Sequence, residues 1–341
     1  MIKTVSVVIP ARNESRRIDD CLRAVLTQDY PPDRMEVIVA DGMSDDDTRA
    51  KVAAAASAYG GAGGPRVRVI DNPGRIVPTG MNRAIEAAVG EIIVRVDGHT
   101  IIDPDYVSRC VETLERTGAD GAGGTMTPIA DGAFSGAVAL ATSTPFGVGN
   151  SAFHYATTER DSDSVYLGAY PKSTFARFGG YDEELVRNQD DELNYRIRGR
   201  GGRIVLNPAI QSRYHPRATV AALFSQYFQY GWWKLRVMTR VPSMMSARHF
   251  APSVFVILLA VALGLSVLFP ALLIVAAGML AVHAAGALAF CMGRTRGIAA
   301  RSVALVPVAT LLIHLGYGLG LLAALPSLAA KTRVPLTGGV A

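Results

Sequence analysis

No carboxylate occurs after Glu192: the last 149 of the 341 residues carry 15 Lys and Arg and no Asp or Glu. Up to Glu192 the balance is reversed, with 19 basic residues against 29 acidic ones. A basic second half suits either nucleic acid or anionic lipid, and the spacing of its cations decides between them. Between Arg248 and Arg294 no Lys, Arg, Asp or Glu occurs at all. A soluble fold rarely leaves so long a stretch without an ionisable surface residue, so the stretch reads as membrane-embedded, and nucleic acid falls away as a partner. Cysteine is scarce as well. Cys21, Cys110 and Cys291 stand far apart, without a C-x-x-C pair or a His at metal-ligand spacing. This excludes a disulfide framework and a zinc site, and leaves reduced structural thiols. The opening Met-Ile-Lys-Thr-Val lacks the parts of a secretory signal, so the first domain is expected to stay in the cytosol.

Half of the residues are hydrophobic and the mean hydropathy is +0.24, high for a soluble enzyme. Pro270 splits the uncharged interval into 251–269 and 271–292, and a third apolar run, 302–325, follows a loop with Arg294, Arg296 and Arg301. Each run is long enough to cross a bilayer, which takes about 20 apolar residues. Arg236, Arg240 and Arg248 precede the first run, and the turn at Pro270 carries no charge. Cations gather on the cytoplasmic side, so the N-terminal domain and the 294–301 loop are expected in the cytoplasm, with the 270 turn outside the inner cell membrane. Lys331 and Arg333 would then lie outside, against the rule. The expected organisation is a catalytic domain over 1–217, an amphipathic interfacial linker over 218–250, three membrane helices within 251–325, and a short tail over 326–341.

Residues 5–10 read VSVVIP, a β-branched run typical of a buried parallel strand. A helix-like stretch over 15–27 follows, then an apolar run over 36–40 that ends at Asp41-Gly42. Next come a helix-like segment over 46–58, a Gly-rich loop over 60–64, a strand over 67–70, a helix around 80–89, and a strand over 91–96 that ends at Asp97. This alternation predicts an α/β fold, a mostly parallel sheet with helices on both faces. Ligands of such sheets bind at the carboxyl ends of the strands, where Asp41 and Asp97 lie. The run Asp45-Asp46-Asp47 predicts an N-cap and first helical turn rather than a metal site.

The sequence VSVVIPARNES, followed by VIVADGMSDDDT, VRVDGH and NQDDELNYRIR, resembles the family 2 glycosyltransferases, a likeness that covers the chain to about Arg240 and, more loosely, the membrane segments. RVDGHT, NQDDELNYR and QYFQYGWWK look most like the membrane-attached transferases of bacterial exopolysaccharide assembly, the succinoglycan type among them. The resemblance implies a nucleotide-diphospho-sugar transferase fold of the GT-A type, followed by membrane helices. It also implies inverting transfer from a nucleotide-diphosphate sugar, a UDP-sugar foremost, to a lipid-linked (polyprenyl) saccharide, with membrane lipids as further partners.

Such a reaction needs a divalent metal or fixed cations beside the departing diphosphate. Asp97-Gly98-His99 matches the family's D-x-D motif, with His99 where the second Asp normally binds the metal. Asp97 and His99 can ligate Mn²⁺ or Mg²⁺, the imidazole favouring Mn²⁺; the other reading is a polar turn. By resemblance Asp41 hydrogen-bonds the donor's pyrimidine base, and Pro10, Arg12 and Glu14 line the base and ribose pocket. A strand-ending turn for Asp41 and a helix-starting carboxylate for Glu14 are the alternatives. An inverting transferase also needs a general base for the acceptor hydroxyl. Aligned on Glu192-Leu193, the family's base falls on Asp190. Gln189 replaces the usual Glu, which leaves Asp191 as second candidate, and capping of a helix over 192–200 as a third reading.

Gly168 and Lys172 resemble the acceptor-side segment, with Lys172 facing phosphate or merely solvent. His215 reads as a late metal or pyrophosphate contact or as an ordinary loop histidine. Gln229, Trp232 and Trp233 resemble the Q-x-x-R-W motif of processive synthases, but Trp232 replaces its Arg, which argues against processivity. The same stretch, with Lys234, Arg236 and Arg240, reads equally as an interfacial helix. Rival readings are transfer to polyprenyl phosphate itself, a processive synthase, and an inactive transferase-like membrane scaffold.

Overall fold

A computed structural model describes residues 2–59 and 63–329; residues 60–62 of the Gly-rich loop and 330–341 of the tail, with Lys331 and Arg333, lie outside them. The chain divides into two compact units. Of the described residues, one holds the chain to Thr127 together with Ala156–Tyr214, and the other holds Pro128–Tyr155 and 215–329. The segment 128–155, expected within the N-terminal domain, thus belongs with the C-terminal helices.

The first unit opens with β1 (Val5–Ala11), α1 (Ile18–Leu26), β2 (Met35–Asp41), α2 (Thr48–Tyr59), β3 (Arg66–Asp71) and α3 (Val77–Ala87). It continues with β4 (Ile92–Arg95), β5 (Ile101–Ile102), α4 (Tyr106–Thr117) and β6 (Gly121–Pro128). The chain then leaves for α5 (Ala133–Thr142) and α6 (Pro145–Val148). It returns with β7 (Arg160–Asp161), β8 (Tyr166–Pro171), α7 (Lys172–Phe178), α8 (Gln189–Gly199) and β9 (Ile204–Tyr214). Among the described residues, nine strands form one sheet in the order β3-β2-β1-β4-β8-β6-β9-β5, with β7 beside β9.

The expected parallel order holds over β3, β2, β1 and β4. Beyond β4 pairing is antiparallel, to β8 and from β8 to β6, so the sheet as a whole is mixed. β1, β2 and β4 are buried along their whole length, as strands covered on both faces must be. Ile18, Cys21, Leu22, Val25 and Leu26 form the buried stripe of α1, at helical spacing. The antiparallel half is held close by glycine: a Cβ on Gly124 would sit 1.7 Å from the Ile210 carbonyl oxygen. All three cysteines are free and buried.

The second unit adds α9 (Val220–Arg240), α10 (Ala251–Leu265), α11 (Leu272–Cys291) and α12 (Ala300–Ala329) to α5 and α6. Three of its helical segments, Ala247–Leu265, Leu272–Arg294 and Ala300–Ser327, are long and apolar enough to cross a membrane. Val267, Ile274 and Val282 expose most of their surface, as lipid-facing side chains do. Within the expected interfacial linker, 218–250, α9 is a helix packed tightly along α12. A Cβ on Gly231 would meet the Tyr317 carbonyl oxygen at 2.1 Å, and one on Gly320 the Phe228 carbonyl at 2.0 Å. Small residues permit this backbone approach, and Gly316 and Gly320 carry it at i, i+4 spacing.

Candidate active site

Elements of the first unit build one polar cluster at the carboxyl ends of β1, β2 and β4. The apolar strands stop there because the next residues must turn. Asn13 and Met43 adopt left-handed backbone, with φ of 56° and 58°. The turns after β1 and β2 then clasp each other: Ser44 Oγ accepts from the Asn13 amide at 3.0 Å, and Asn13 Oδ1 from the Asp45 amide at 3.1 Å. Asp46 does what the acidic run predicts, taking the Thr48 amide at 3.0 Å and the Ser15 amide at 3.1 Å. Burial alone would raise the Asp46 carboxyl, but these bonds bring it down to about 2.

Asp41 ends β2 and is 1% exposed. Its Oδ2 accepts from the Ser44 amide at 3.1 Å and from Arg49 at 3.0 Å. Its Oδ1 is buried and makes no hydrogen bond, an unmet acceptor of the kind a ligand N–H satisfies. Pro10 is buried in β1, whereas Arg12 is exposed and its stem packs over Gly42, where a Cβ would come within 3.0 Å of it. Glu14 turns toward the next strand end, its Oε1 lying 2.9 Å from His99 Nδ1. Asp97 and His99 therefore share the cluster with Glu14. Among the described residues no three His, Cys, Asp or Glu side chains form a ready metal site.

The centre of the cluster is a residue that sequence reasoning passed over. Arg95 interrupts the apolar run of β4, and the two-residue strand period turns it to the same face as Asp97. Its Nε lies 2.8 Å from Asp97 Oδ1 and its Nη2 3.3 Å from Oδ2. Burial would raise the Asp97 carboxyl, but Arg95 first, then His99, hold it below the usual range. From the other side, Asp190 Oδ2 comes within 3.8 Å of Arg95 Nη1. The signal was available: a lone charge in a strand otherwise apolar on both faces is rarely idle.

Helix α8 begins at Gln189, three residues before the expected start, so Asp190 and Asp191 stand in its first turn. Positive backbone dipoles favour carboxylates there. Burial nevertheless raises the Asp190 carboxyl, with Asp191 adding to the effect and Arg95 opposing it. Glu192 is committed elsewhere, bound by Arg196 at 2.7 and 2.8 Å. Arg196 also donates to the Phe178 carbonyl and, at 2.7 Å, to the Gly180 carbonyl, which ties α8 to the Gly179-Gly180 turn. Asn82 holds the next residue, accepting from the Tyr181 amide at 2.8 Å.

Of the acceptor-side candidates, Gly168 lies one step from the Val94–Ala169 pair, on the side toward Asp97. Lys172 does not join the cluster. β8 runs antiparallel to β4, so Lys172 falls beside Glu91, at the opposite end of β4, and donates to the Ala88 carbonyl. Gln229, Trp232 and Trp233 belong to α9 of the helical unit, as does His215, whose Nδ1 lies 3.3 Å from Asp131.

The glycosyl transferase family 2 model matches residues 6–166. The succinoglycan biosynthesis protein ExoA of Rhizobium meliloti (strain 1021) is 32% identical over 248 residues, covering 72% of this chain and 73% of that protein. A dolichyl N-acetyl-alpha-D-glucosaminyl phosphate 3-beta-D-2,3-diacetamido-2,3-dideoxy-beta-D-glucuronosyltransferase of Methanococcus voltae is 26% identical, covering 67% of this chain and 71% of its own. Among solved structures, the mannosyltransferase PcManGT from Pyrobaculum calidifontis in complex with GDP-Man and Mn²⁺ superposes with a TM-score of 0.60 at 19% identity, over 94% of this chain and 87% of that one. That likeness is one of fold. With the family model matched across the strand ends that carry Asp41 and Asp97, and a relative above 30% identity over most of both chains, the protein belongs to glycosyl transferase family 2.

Proposed function

We propose that the chain transfers a sugar, with inversion, from a nucleotide-diphosphate donor, UDP-linked in our reading, to a lipid-linked saccharide at the cytoplasmic membrane face. The observation that carries this is the placement of Asp41 and Asp97 on one side of buried Arg95 and Asp190 on the other. Asp41 Oδ1 accepts an N–H of the base. Asp97 and His99 would hold a divalent ion, and the chemistry of the pair suits one completed by substrate phosphates, as is usual for Mg²⁺. Glu14 on His99 Nδ1 is the kind of contact that orients a metal-binding imidazole through its other nitrogen. Such an ion supplies positive charge for the departing diphosphate. Asp190 removes the acceptor hydroxyl proton as that oxygen attacks the anomeric carbon in a single displacement.

Membrane attachment through the apolar helices, in a multi-pass arrangement with a cytoplasmic side marked by Arg236, Arg240, Arg248 and the 294–301 arginines, fits this reading. The names of the Rhizobium and Methanococcus relatives, a succinoglycan biosynthesis protein and a dolichyl-linked glycosyltransferase, support a lipid-linked acceptor in cell-surface or exopolysaccharide biosynthesis. The test is to incubate membranes bearing this chain with radiolabelled UDP-sugars, Mn²⁺ and a lipid extract, and to determine the anomeric configuration of the product. Label in a lipid-linked saccharide with inverted configuration is expected. Retained configuration overturns the mechanism, and label found only on lipid phosphate moves the acceptor to the phosphate itself.

A further inference from the structure

We propose that Arg95 is the positioning residue of the base: one buried cation, shared unequally by Asp97 and Asp190, that aims Asp190 and ties it to the donor end of the site. The inference rests on the reading of Asp190 as proton acceptor. A buried guanidinium is costly unless its donors are met, and Arg95, with a side chain 6% exposed, leaves one unmet. Nε and Nη2 go to Asp97, while Nη1 makes no hydrogen bond and faces Asp190 Oδ2 from 3.8 Å, just beyond bonding reach. Small rotations of Asp190, in the first turn of α8, close or open that contact, and the Tyr181 phenol also interacts with the guanidinium there.

The groups that face Asp190 are Asp191 on α8, Arg95 on β4 with Asp97 just beyond it, Tyr170 on β8, and Tyr181 in the turn before α8. Both phenols stay protonated at neutral pH, since burial pushes Tyr181 up to about 12 and raises Tyr170 as well. The charge of Arg95 opposes the effect of burial on Asp190, while its hydrogen bonds go to Asp97. Arg95 therefore couples the two carboxylates: whatever changes the hold of Asp97 on the guanidinium changes what is left for Asp190.

The full-length protein in detergent tests this with Arg95→Met and Arg95→Lys, each assayed for kcat across pH and for UDP binding by calorimetry. Removing the cation should move the acid limb of the kcat profile upward by about one unit or more. Activity on the acid side then falls about tenfold per unit and recovers as pH rises. Arg95→Lys, which keeps the charge but spans only one carboxylate, should show a smaller shift. UDP binding should weaken in both, because Asp97 loses a partner, but by less than the rate falls on the acid side. A rate lost evenly at every pH with the limb unmoved, or UDP binding lost in step with rate, overturns the proposal. If Arg95→Met does not fold, the limb in Arg95→Lys decides alone, and an unshifted limb there is equally fatal. Near-normal transfer by Asp190→Asn would instead remove the underlying reading of the base, an outcome distinct from either.

Discussion

At the Asp41 end of the site, Asn13, Ser44, Asp45 and Asp46 exchange hydrogen bonds between two strand-end turns, and nearly every group is held by a neighbour in the same pair of turns. At the Asp190 end the supports come from far along the chain: Arg95 from β4, Asn82 from α3, and Arg196 reaching back to the Gly179-Gly180 turn. The donor end is therefore preformed by local backbone geometry, while the base end depends on long-range ties. On the proposed reading, the first arrangement is where a nucleotide binds. The second leaves the base adjustable, and its position is set by a few side chains that substitution can remove one at a time.

The largest effect is expected at the adjustable end. Asp190→Asn keeps the size of the side chain and removes the proton acceptor, so transfer should fall by about 10²–10⁴-fold while UDP binding survives. Asp191→Asn should cost much less. A large loss at Asp191 with near-normal Asp190→Asn would shift the base by one residue, and loss at neither would favour a lipid phosphate that attacks without giving up a proton.

At the preformed end, Asp41→Asn should act on binding instead. It replaces a charged acceptor by a neutral amide beside the donor base, and hydrogen bonds to charged groups are worth about 1.5–3 kcal/mol. The donor KM should rise by roughly one to two orders of magnitude with kcat little changed, the pattern of lost uniform binding. A fall in kcat at constant KM would place Asp41 with the chemistry and dissolve the contrast between the two ends.

Between them, His99→Asp should preserve transfer and shift preference from Mn²⁺ toward Mg²⁺, because a hard oxygen replaces nitrogen. Rates compared in the two metals after EDTA treatment measure this. An unchanged preference would mean that His99 does no more than hold Glu14.

What could be read in the sequence follows the same division. Asp41 and Asp97 were legible as strand ends because each follows a largely apolar run, and a turn must follow. The Asp46 cap was legible because its partners lie within two positions in one direction and one loop away in the other. The base end was harder. The start of α8 was placed three residues late because Gln189, Asp190 and Asp191 have the polarity of a loop; in a first turn such acids are favourable. Strand β6 is Gly-rich and β8 is broken by Gly168 and Pro171, so neither shows alternation or a long apolar run, and the reversal of direction after β4 was invisible, with it the removal of Lys172 to the far end. Segment 128–155 gave no sign of leaving the domain, since the small residues that let α5 pack in the helical unit, Gly136 against Ser302 among them, also suit loops.

The smallest effect tests whether the donor end is held by local contacts at all. Asp46 accepts the Thr48 amide and hydroxyl through Oδ1, at 3.0 and 2.6 Å, and the Ser15 amide through Oδ2. The Thr48 hydroxyl in turn accepts the Glu14 amide at 2.8 Å, which makes Asp46 the root of a chain leading to His99. Asp46→Ala leaves these donors unmet and should cost about 1 kcal/mol, the usual worth of such a cap. For a domain of this size that lowers Tm by about 2–4 °C, measurable by thermal unfolding in detergent. The pH dependence has a definite sign. The folded carboxyl sits at about 2, below its ordinary value of 3.8, so its contribution is complete above pH 4 and lost as pH falls through 2. The difference between wild type and variant should accordingly be constant from pH 7 to about 4.5 and shrink at lower pH. Transfer should change by no more than a few-fold, because Asn13 and Ser44 still join the two turns. A cost in stability that persists unchanged at pH 2.5, or a transfer loss as large as that of Asp190→Asn, would mean that the donor end is as dependent on single side chains as the base end.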